Sequence, residues 1–290
     1  MRSLALSQPD ADEFVPDGAP VEEALARTTH LGIAAHADDL EFFAWHGIAE
    51  CFQRKDWWFT GIIVTDGAGS PRSGAYADWT NEQMAAARKI EQRTAAIIGG
   101  YSAVIQLSIP SDAVKNAADP APENDLRRIV AGMRPMKAYL HNPADRHDAH
   151  VAVFLRSLAA LRSMPRENRP AAVYGCEIWR DLDWLVGDDR VTLPAGERPN
   201  IQAALAGVFD TQISGGKRYD LAVQGRRLAN ATFNESHAPD RASGLTLAMN
   251  LTPLVHDEKL DPVSYTLGHV ERLARDVRSR LERMTGGTRT

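Results

Sequence analysis

The amino-acid sequence predicts an α/β fold, in which helices cover the faces of a mostly parallel sheet. Short apolar runs of strand length alternate along the first 175 residues with longer runs whose apolar residues recur at helical spacing. Strands that alternate with helices of this length imply βαβ crossovers, which make neighbouring strands parallel. In addition, two of the apolar runs lead directly into histidines and carboxylates, where open α/β sheets hold their active sites.

Each predicted element has a local reason in the sequence. The first strand, about 30–35, is a short apolar run, and the residues after it present a broad apolar helical face. The helix over about 82–98 is followed by two glycines, which commonly stop a helix. The strands predicted in this part are about 30–35, 59–65, 103–107, 137–140 and 171–174, and the helices are about 41–54, 82–98, 124–133 and 151–161.

The chain is predicted to form one elaborated α/β domain that follows a short arm. Residues 1–28, rich in turn formers, are predicted to be an irregular arm ending in a helical turn. Residues 29–285 are predicted to form the domain, with a motif-bearing core over 29–175 and a C-terminal part over 176–285 that shapes the pocket rim. This last part is less regular, with helices expected near 198–209, 217–233 and 262–284 and a strand near 245–250.

Composition and charge argue against several classes of protein. The net charge of −5 provides no basic field for nucleic acid or an anionic membrane. Cys51 and Cys176 are far apart and outside any CxxC motif, so we expect reduced thiols in a cytoplasmic protein. The first residues lack the apolar core of a signal peptide, and no run approaches the roughly 20 apolar residues of a membrane span. Homo-oligomerisation stays open.

Two clusters of acids and imidazoles follow separate predicted strands. His36, Asp38 and Asp39 follow the first strand, and His147 and His150 lie at the start of the helix after the fourth. His147 and His150 are three positions apart, so in a first helical turn both face the same side. Two histidines and a carboxylate, with water in the fourth position, form the ligand set of a catalytic zinc site.

Each of these residues taken singly has a simpler structural explanation. His36 is compatible with a hydrogen-bonded strand-end histidine, Asp38 or Asp39 with a helix N-cap, and the later histidines with a solvated helix start. Coincidence explains two such clusters poorly, so from the pattern alone a metal site and the simpler explanations carry equal weight. His141 ends a strand near the second cluster, and Glu177 and Trp179 follow the next strand, so these residues could support or line the site.

Four motifs resemble those of the PIG-L/LmbE-like zinc-dependent N-deacetylase family. Residues 36–41 (HADDLE) resemble its His-Pro-Asp-Asp-x-Glu signature, and residues 147–150 (HDAH) resemble its His-Pro-Asp-His motif. Residues 65–69 (TDGAG) resemble the family's glycine-rich loop, and residues 88–91 (RKIE) resemble its Arg-x-x-Glu helix. The resemblance covers about residues 29–175 and implies a Rossmann-like fold of the LmbE type.

The resemblance also implies roles for individual residues. It implies that His36, Asp39 and His150 bind one Zn²⁺ per chain, that Asp38 is the general base, and that His147 stabilises the oxyanion or protonates the leaving amine. Arg88 and Asp112 match positions that hold sugar hydroxyls.

Two positions depart from the family pattern. Ala37 replaces a proline, which should cost some rigidity of the turn and no chemistry. Ala149 replaces the aspartate beside the ligand histidine, so a carboxylate that orients a catalytic imidazole is missing there. Asp145 or Asp148 could take its place.

The implied activity is removal of an acetyl or other acyl group from the amine of an N-acetylglucosamine-type sugar or glycoconjugate. One alternative is a metal-dependent amidohydrolase that acts on a small thiol conjugate or an antibiotic-like glycoside. Another is a non-catalytic binding protein on the same fold with a degenerate site.

Overall fold

The computed structural model describes residues 4–286, which contain a single eight-stranded sheet with helices on both faces. The strands are β1 (Asp12–Phe14), β2 (His30–Ala34), β3 (Phe59–Thr65), β4 (Ala103–Ile109), β5 (Lys137–His141), β6 (Ala172–Cys176), β7 (Arg190–Pro194) and β8 (Leu245–Asn250). The helices are α1 (Val21–Ala26), α2 (Asp39–Phe43), α3 (Trp45–Cys51), α4 (Asn81–Gly99), α5 (Ser111–Lys115), α6 (Ala121–Val130), α7 (Asp148–Ser163), α8 (Pro199–Gly207), α9 (Asp210–Ile213), α10 (Tyr219–Thr232), α11 (Thr252–His256) and α12 (Pro262–Met284).

The order of the strands places a topological switch point between β2 and β5. The sheet order is β1-β4-β3-β2-β5-β6-β8-β7, and β2 through β6 pair in parallel. The chain therefore builds outward from β2 through β3 and β4, and then returns to the other side of β2 with β5. Open α/β sheets bind their ligands in the crevice beyond the carboxyl ends of such a strand pair.

The α/β fold predicted from the sequence is confirmed, and so is the mostly parallel sheet. Three details differ. The helix predicted over 41–54 is two helices, α2 and α3, which meet at Ala44. The predicted N-terminal arm contributes β1, which pairs antiparallel with β4; residues 1–3 of that arm lie outside the described part. The strand β7 was not predicted and forms the opposite edge, antiparallel to β8.

Two glycines on adjacent strands fix the helix that carries the first acidic motif. Gly32 of β2 and Gly61 of β3 are register partners, and Leu40 of α2 packs directly on both. A Cβ atom at Gly32 would lie 2.6 Å from Leu40 Cδ2, and one at Gly61 would lie 2.5 Å from Leu40 Cδ1. Any larger residue at these positions would displace the Leu40 side chain from its packed position, because buried side chains are close-packed.

Candidate active site

The switch point brings together His36, Asp39 and His150, three residues predicted as metal ligands. His36 and Asp39 follow β2, whereas His150 lies in the first turn of α7, after β5. Nδ1 of His36 is 3.1 Å from Oδ2 of Asp39 and 3.2 Å from Nε2 of His150. Nε2 of His150 is in turn 3.4 Å from Oδ2 of Asp39. We call these three residues the His/Asp cluster.

The spacing of these donor atoms fits a tetrahedral metal ion. Ligand atoms at zinc distances of about 2.0–2.2 Å lie about 3.3–3.6 Å apart at the tetrahedral angle. The three separations in the cluster, 3.1, 3.2 and 3.4 Å, are close to that range. His141 and His147 lie beside the cluster. The possible ligand atoms of His147 with those of His36 and His150, and those of His141 with those of Asp39 and His150, form two groups within which all atoms lie within 4.8 Å of one another. Two imidazoles and a carboxylate are also the donor types that zinc prefers.

Asp145 is the carboxylate that orients His150, one of the two histidines of the cluster. Its Oδ2 lies 3.1 Å from Nδ1 of His150, and both side chains are buried. Its Oδ1 accepts backbone N–H bonds from Arg146 and His147, so the carboxylate is itself fixed. Asp145 and Asp148 were the two possible replacements for the aspartate that Ala149 displaces. Asp145 does contact an imidazole, but the ring is that of His150 and not that of His147. Such partners set the tautomer and the ring orientation of a ligand histidine.

The charge states of the cluster suit metal binding. Burial raises the pKa of Asp39, but the imidazoles of His150, His141 and His36 outweigh it and hold that pKa well below its usual range. Burial, reinforced by the neighbouring His141, lowers the pKa of His150 to about 3. At neutral pH the cluster therefore offers a carboxylate and a neutral imidazole, the forms that bind metal ions.

Asp38 lies beside the cluster in an unusual backbone conformation. Its φ of 91° is in the region that non-glycine residues rarely adopt, and its backbone N–H donates to Oε1 of Gln92. Burial raises the pKa of the Asp38 carboxyl well above its ordinary value, although the Arg88 guanidinium, 3.4 Å away, acts in the opposite direction. Strained residues that the surrounding structure holds in place are concentrated at functional sites.

Arg88 and Asp112, the two residues predicted to hold sugar hydroxyls, lie in different environments. Arg88 lines the cavity at the cluster, and its guanidinium donates to the carbonyl of Ala37 and to Oγ of Ser70. Asp112 is exposed at the start of α5, pairs with Lys115 at 2.8 Å and is absent from the cavity wall. The structure therefore brings Arg88 to the site but does not bring Asp112 there.

His147 faces the cluster from the α7 side. Its ring centre is 5.0 Å from that of His36 and 4.5 Å from that of His150. Its Nδ1 has no hydrogen-bond partner among the described residues. Burial, together with the charge of His36, lowers the pKa of His147, so at neutral pH the ring is neutral and carries one N–H donor.

The cluster opens into a cavity of about 530 Å³, and part of the cavity wall comes from the C-terminal part of the chain. Its lining includes the clustered acids and imidazoles, the loop after β3, and a largely aromatic and cationic wall that comprises Phe42, Arg146, Trp179, Lys217, Tyr219 and Arg226. Trp179, together with Glu177, was a sequence candidate for lining the cleft, and both residues do so. Lys217 and Tyr219 were missed, because Lys217 lies just before α10 and α10 itself carries only an ordinary amphipathic pattern.

Trp179 organises the aromatic wall. Its ring lies 5.8 Å from the ring of His147 and 6.2 Å from that of Tyr219, edge to face with the latter. The Nζ of Lys217 and the Cζ of Arg146 lie 5.4 and 5.9 Å from the Trp179 ring centre. The cavity therefore joins a polar His/Asp end to an aromatic wall with positive charge.

The fold and the cluster define the class of this protein: an α/β protein with a candidate metal centre at the switch point of its sheet. The family model described as "PIG-L: GlcNAc-PI de-N-acetylase" matches residues 31–161, which contain all four motifs, so the resemblance of this part of the chain to the PIG-L family is confirmed. No curated protein matches the chain. None of the helices within residues 4–286 has the length and apolarity needed to cross a membrane.

Several solved structures share the fold at low sequence identity. GalB, the 4-carboxy-2-hydroxymuconate hydratase from Pseudomonas putida KT2440, is 17% identical, with a TM-score of 0.55 over 77% of this chain and 95% of its own. The A40926 pseudoaglycone deacetylase Dbv21 is 14% identical, with a TM-score of 0.55 over 77% and 97%. The N,N'-diacetylchitobiose deacetylase from Pyrococcus horikoshii is 12% identical, with a TM-score of 0.55 over 76% and 83%. Because one of the three is a hydratase, the shared fold does not fix the reaction.

Proposed function

We propose that this protein is a zinc-dependent hydrolase that removes an acetyl or other acyl group from the amine of an N-acetylglucosamine-type sugar or glycoconjugate. The observation that carries the proposal is the convergence of His36, Asp39 and His150 within 3.1–3.4 Å, with Asp38 adjacent. The PIG-L match over residues 31–161 and the two deacetylases of the same fold support the reaction type. The whole of residues 29–285 is proposed to act as one deacetylase domain.

Zinc bound by these three residues would lower the pKa of the attacking water to about 7 and polarise the amide carbonyl. Asp38 is the proposed general base, because its carboxyl is next to ligand Asp39 and burial raises its pKa. A carboxylate with a raised pKa accepts the proton of the attacking water more readily and can pass it to the leaving nitrogen. Arg88 positions this carboxylate and, as a lining residue, is proposed to contact the sugar.

His147 is proposed to donate to the oxyanion of the tetrahedral intermediate. Its ring faces His36 and His150, and its neutral form supplies one N–H. A single positioned donor of this kind typically contributes about 2.7–4 kcal/mol to the transition state. The carboxylate of Asp145 is directed to His150 instead, so the tautomer of His147 is not fixed by a protein acceptor.

The shape of the cavity supports a glycoconjugate rather than a free monosaccharide. A volume of about 530 Å³ falls within the range of pockets that enclose a drug-sized ligand. The aromatic wall of Trp179, Tyr219 and Phe42 extends beyond the polar end and provides an apolar surface for an aglycone. This wall favours, as a second candidate, an amidohydrolase of an antibiotic-like glycoside or a small thiol conjugate.

A substrate panel with metal analysis tests the proposal. The purified protein would be incubated with N-acetylglucosamine, its glycosides with small and aromatic aglycones, and an N-acetylated thiol conjugate, while acetate and free amine are measured. We expect release from at least one glucosaminide, loss of activity with a zinc chelator and recovery on adding zinc. No amide cleavage in a zinc-loaded protein would contradict the proposal and favour the non-catalytic binding protein.

A further inference from the structure

The C-terminal helix α12 carries an exposed apolar stripe that its own domain does not cover. The stripe recurs at alternating spacings of four and three residues, and its members are Val263, Leu267, Val270, Ala274, Val277, Leu281 and Met284. All seven are exposed, and the six larger ones range from 44% for Val270 to 78% for Met284. Apolar residues at a mean spacing of 3.5 over three heptads are typical of a coiled-coil seam.

The face of α12 that packs on the domain is a different one. His269 is the one buried residue of the helix, and its Nδ1 lies 3.3 Å from the carboxylate of Asp189. Tyr265 packs against the core and donates to the carbonyl of Asn250. At 100° per residue these side chains lie about 110–150° around the helix axis from the centre of the stripe. The domain therefore holds α12 by one side and leaves the seam in solvent.

We propose that the seam packs antiparallel against α12 of a second copy of this chain. A two-fold axis between Ala274 and Val277 pairs Ala274 with Val277 of the second copy, Val270 with its Leu281, and Leu267 with its Met284. Ala274 then faces the larger Val277 and Val270 faces the larger Leu281, whereas Leu267 and Met284 are of similar size, so each layer is filled by apolar side chains.

Charge complementarity selects both the occupant and the direction. Glu271 and Arg278 lie on the same edge of the seam, and both are exposed. The antiparallel arrangement places Glu271 of each copy opposite Arg278 of the other, which gives two symmetric ion pairs. A parallel arrangement would instead place Arg278 opposite Leu273 and Glu271 opposite Thr266. Within its own helix Glu271 has only a 4.0 Å contact with Arg275, so its carboxylate can form the pair.

This surface is separate from the candidate active site. The residues that line the cavity extend to Thr246, and none of them belongs to α12. Dimerisation through the seam therefore leaves the His/Asp cluster intact, and variants that disrupt it should keep their zinc content. The inference is independent of the proposed activity.

The test is sedimentation of the full chain over a range of concentrations, with charge-swap variants. We expect a dimer for the natural chain and a monomer for Leu281→Asp. E271R and R278E should each raise the dimer dissociation constant about tenfold or more, because two attractive pairs become two repulsive ones. The double variant E271R/R278E should restore dimerisation, since it exchanges the charges and leaves the pairs opposite.

The swap cycle separates the outcomes. Circular dichroism and zinc content of every variant show that the domain is folded. A natural chain that stays monomeric at all concentrations overturns the second copy as the occupant, and a heterologous partner would then be the alternative. A dimer that neither single swap weakens, or that the double variant does not restore, overturns the antiparallel pairing.

Discussion

Two clusters of imidazoles and carboxylates lie at opposite ends of the same pair of strands, β2 and β5. At the amino end, Glu50 binds Nζ of Lys137 at 2.6 Å and Nε2 of His30 at 3.0 Å. His46 lies 3.6 Å from the same carboxylate, and its Nδ1 is 2.8 Å from the Tyr139 hydroxyl. We call these five residues the basal cluster. The His/Asp cluster lies beyond the carboxyl end of the same strands.

The two clusters differ in how their polar atoms are satisfied. The basal carboxylate has an ammonium partner and hydrogen-bonded imidazoles, which is a closed structural network. Asp39 accepts from the backbone N–H of His36, and its side-chain partners among the described residues are imidazoles. The neighbouring His141 and His147 each keep a buried Nδ1 without a partner in this part of the chain. Buried polar atoms are normally paired, so these two unpartnered imidazole nitrogens beside Asp39 support the proposed metal site. Histidines and acids in a sequence therefore do not by themselves distinguish a closed structural network from a candidate metal site.

The largest expected effect comes from Asp38→Asn. It should lower kcat by about 10²–10⁴, because the general base is lost, while zinc content stays at one per chain. The matched change in the basal cluster, Glu50→Gln, should leave kcat unchanged. Steady-state kinetics with metal analysis would check both; an Asp38→Asn enzyme with most of its activity rules out this carboxylate as the base.

A smaller effect is expected from Asp145→Asn. Loss of the carboxylate on Nδ1 of His150 should weaken zinc binding by about 10–100-fold. Asp148→Asn is the matched control, since Asp148 is exposed at the start of α7 and has no contact with the cluster. Competition with a chelator measures both affinities, and equal affinities in the two variants would show that Asp145 does not support the metal site.

The basal cluster should make stability depend on pH without affecting the chemistry. Burial lowers the pKa of His46 to about 4, so between about pH 6.5 and 4 the unfolded chain binds a proton that the folded chain does not. Stability therefore falls as the pH falls through this window, by about 3 kcal/mol for this residue. Although burial raises the pKa of Glu50, His30 and Lys137 lower it to about 2, so its contribution is lost below about pH 4.5.

The measurement is denaturant unfolding of zinc-loaded protein at several pH values. His46→Gln should flatten the curve between pH 6.5 and 4, because glutamine still accepts a hydrogen bond but does not titrate. A variant with the same pH dependence as the natural chain would remove His46 as its source.

The smallest effect is expected at the aromatic wall. Trp179→Ala should raise KM for glycosides with an aromatic aglycone by about tenfold and change kcat little, because aromatic contacts contribute about 0.5–1.5 kcal/mol beyond area burial. The KM for free N-acetylglucosamine should change less. Equal changes for both substrates would place Trp179 at the sugar rather than at the aglycone.

The sequence predicts the central sheet well because its strands are continuous apolar runs buried on both faces. Phe59–Thr65 is an example, with all seven residues buried and bounds as predicted. The edge strands β1 and β7 were not predicted, because they are short, partly polar and held by long-range antiparallel pairing. The break at Ala44 between α2 and α3 has no proline or glycine to mark it.

The candidate site was predictable where short motifs define it. His36, Asp39 and His150 come together as the two motifs implied. The sequence left Asp145 and Asp148 open as the carboxylate that orients His147, but Asp145 contacts His150 instead, because sequence spacing does not show which ring a carboxylate reaches. Asp112 was placed by its position after a strand, but α5 turns its side chain to solvent, where Lys115 pairs with it. Lys217 reaches the cavity through tertiary packing, which no local pattern signals.

A zinc titration of the metal-free protein tests the central distinction most directly. Calorimetry of the natural chain should show one site per chain, and His150→Ala and Asp39→Ala should each abolish it. His46→Gln, the matched change in the basal cluster, should bind zinc as the natural chain does. Zinc binding that survives His150→Ala, or that is lost in His46→Gln, would contradict the assignment of the metal centre to the carboxyl end of β2 and β5.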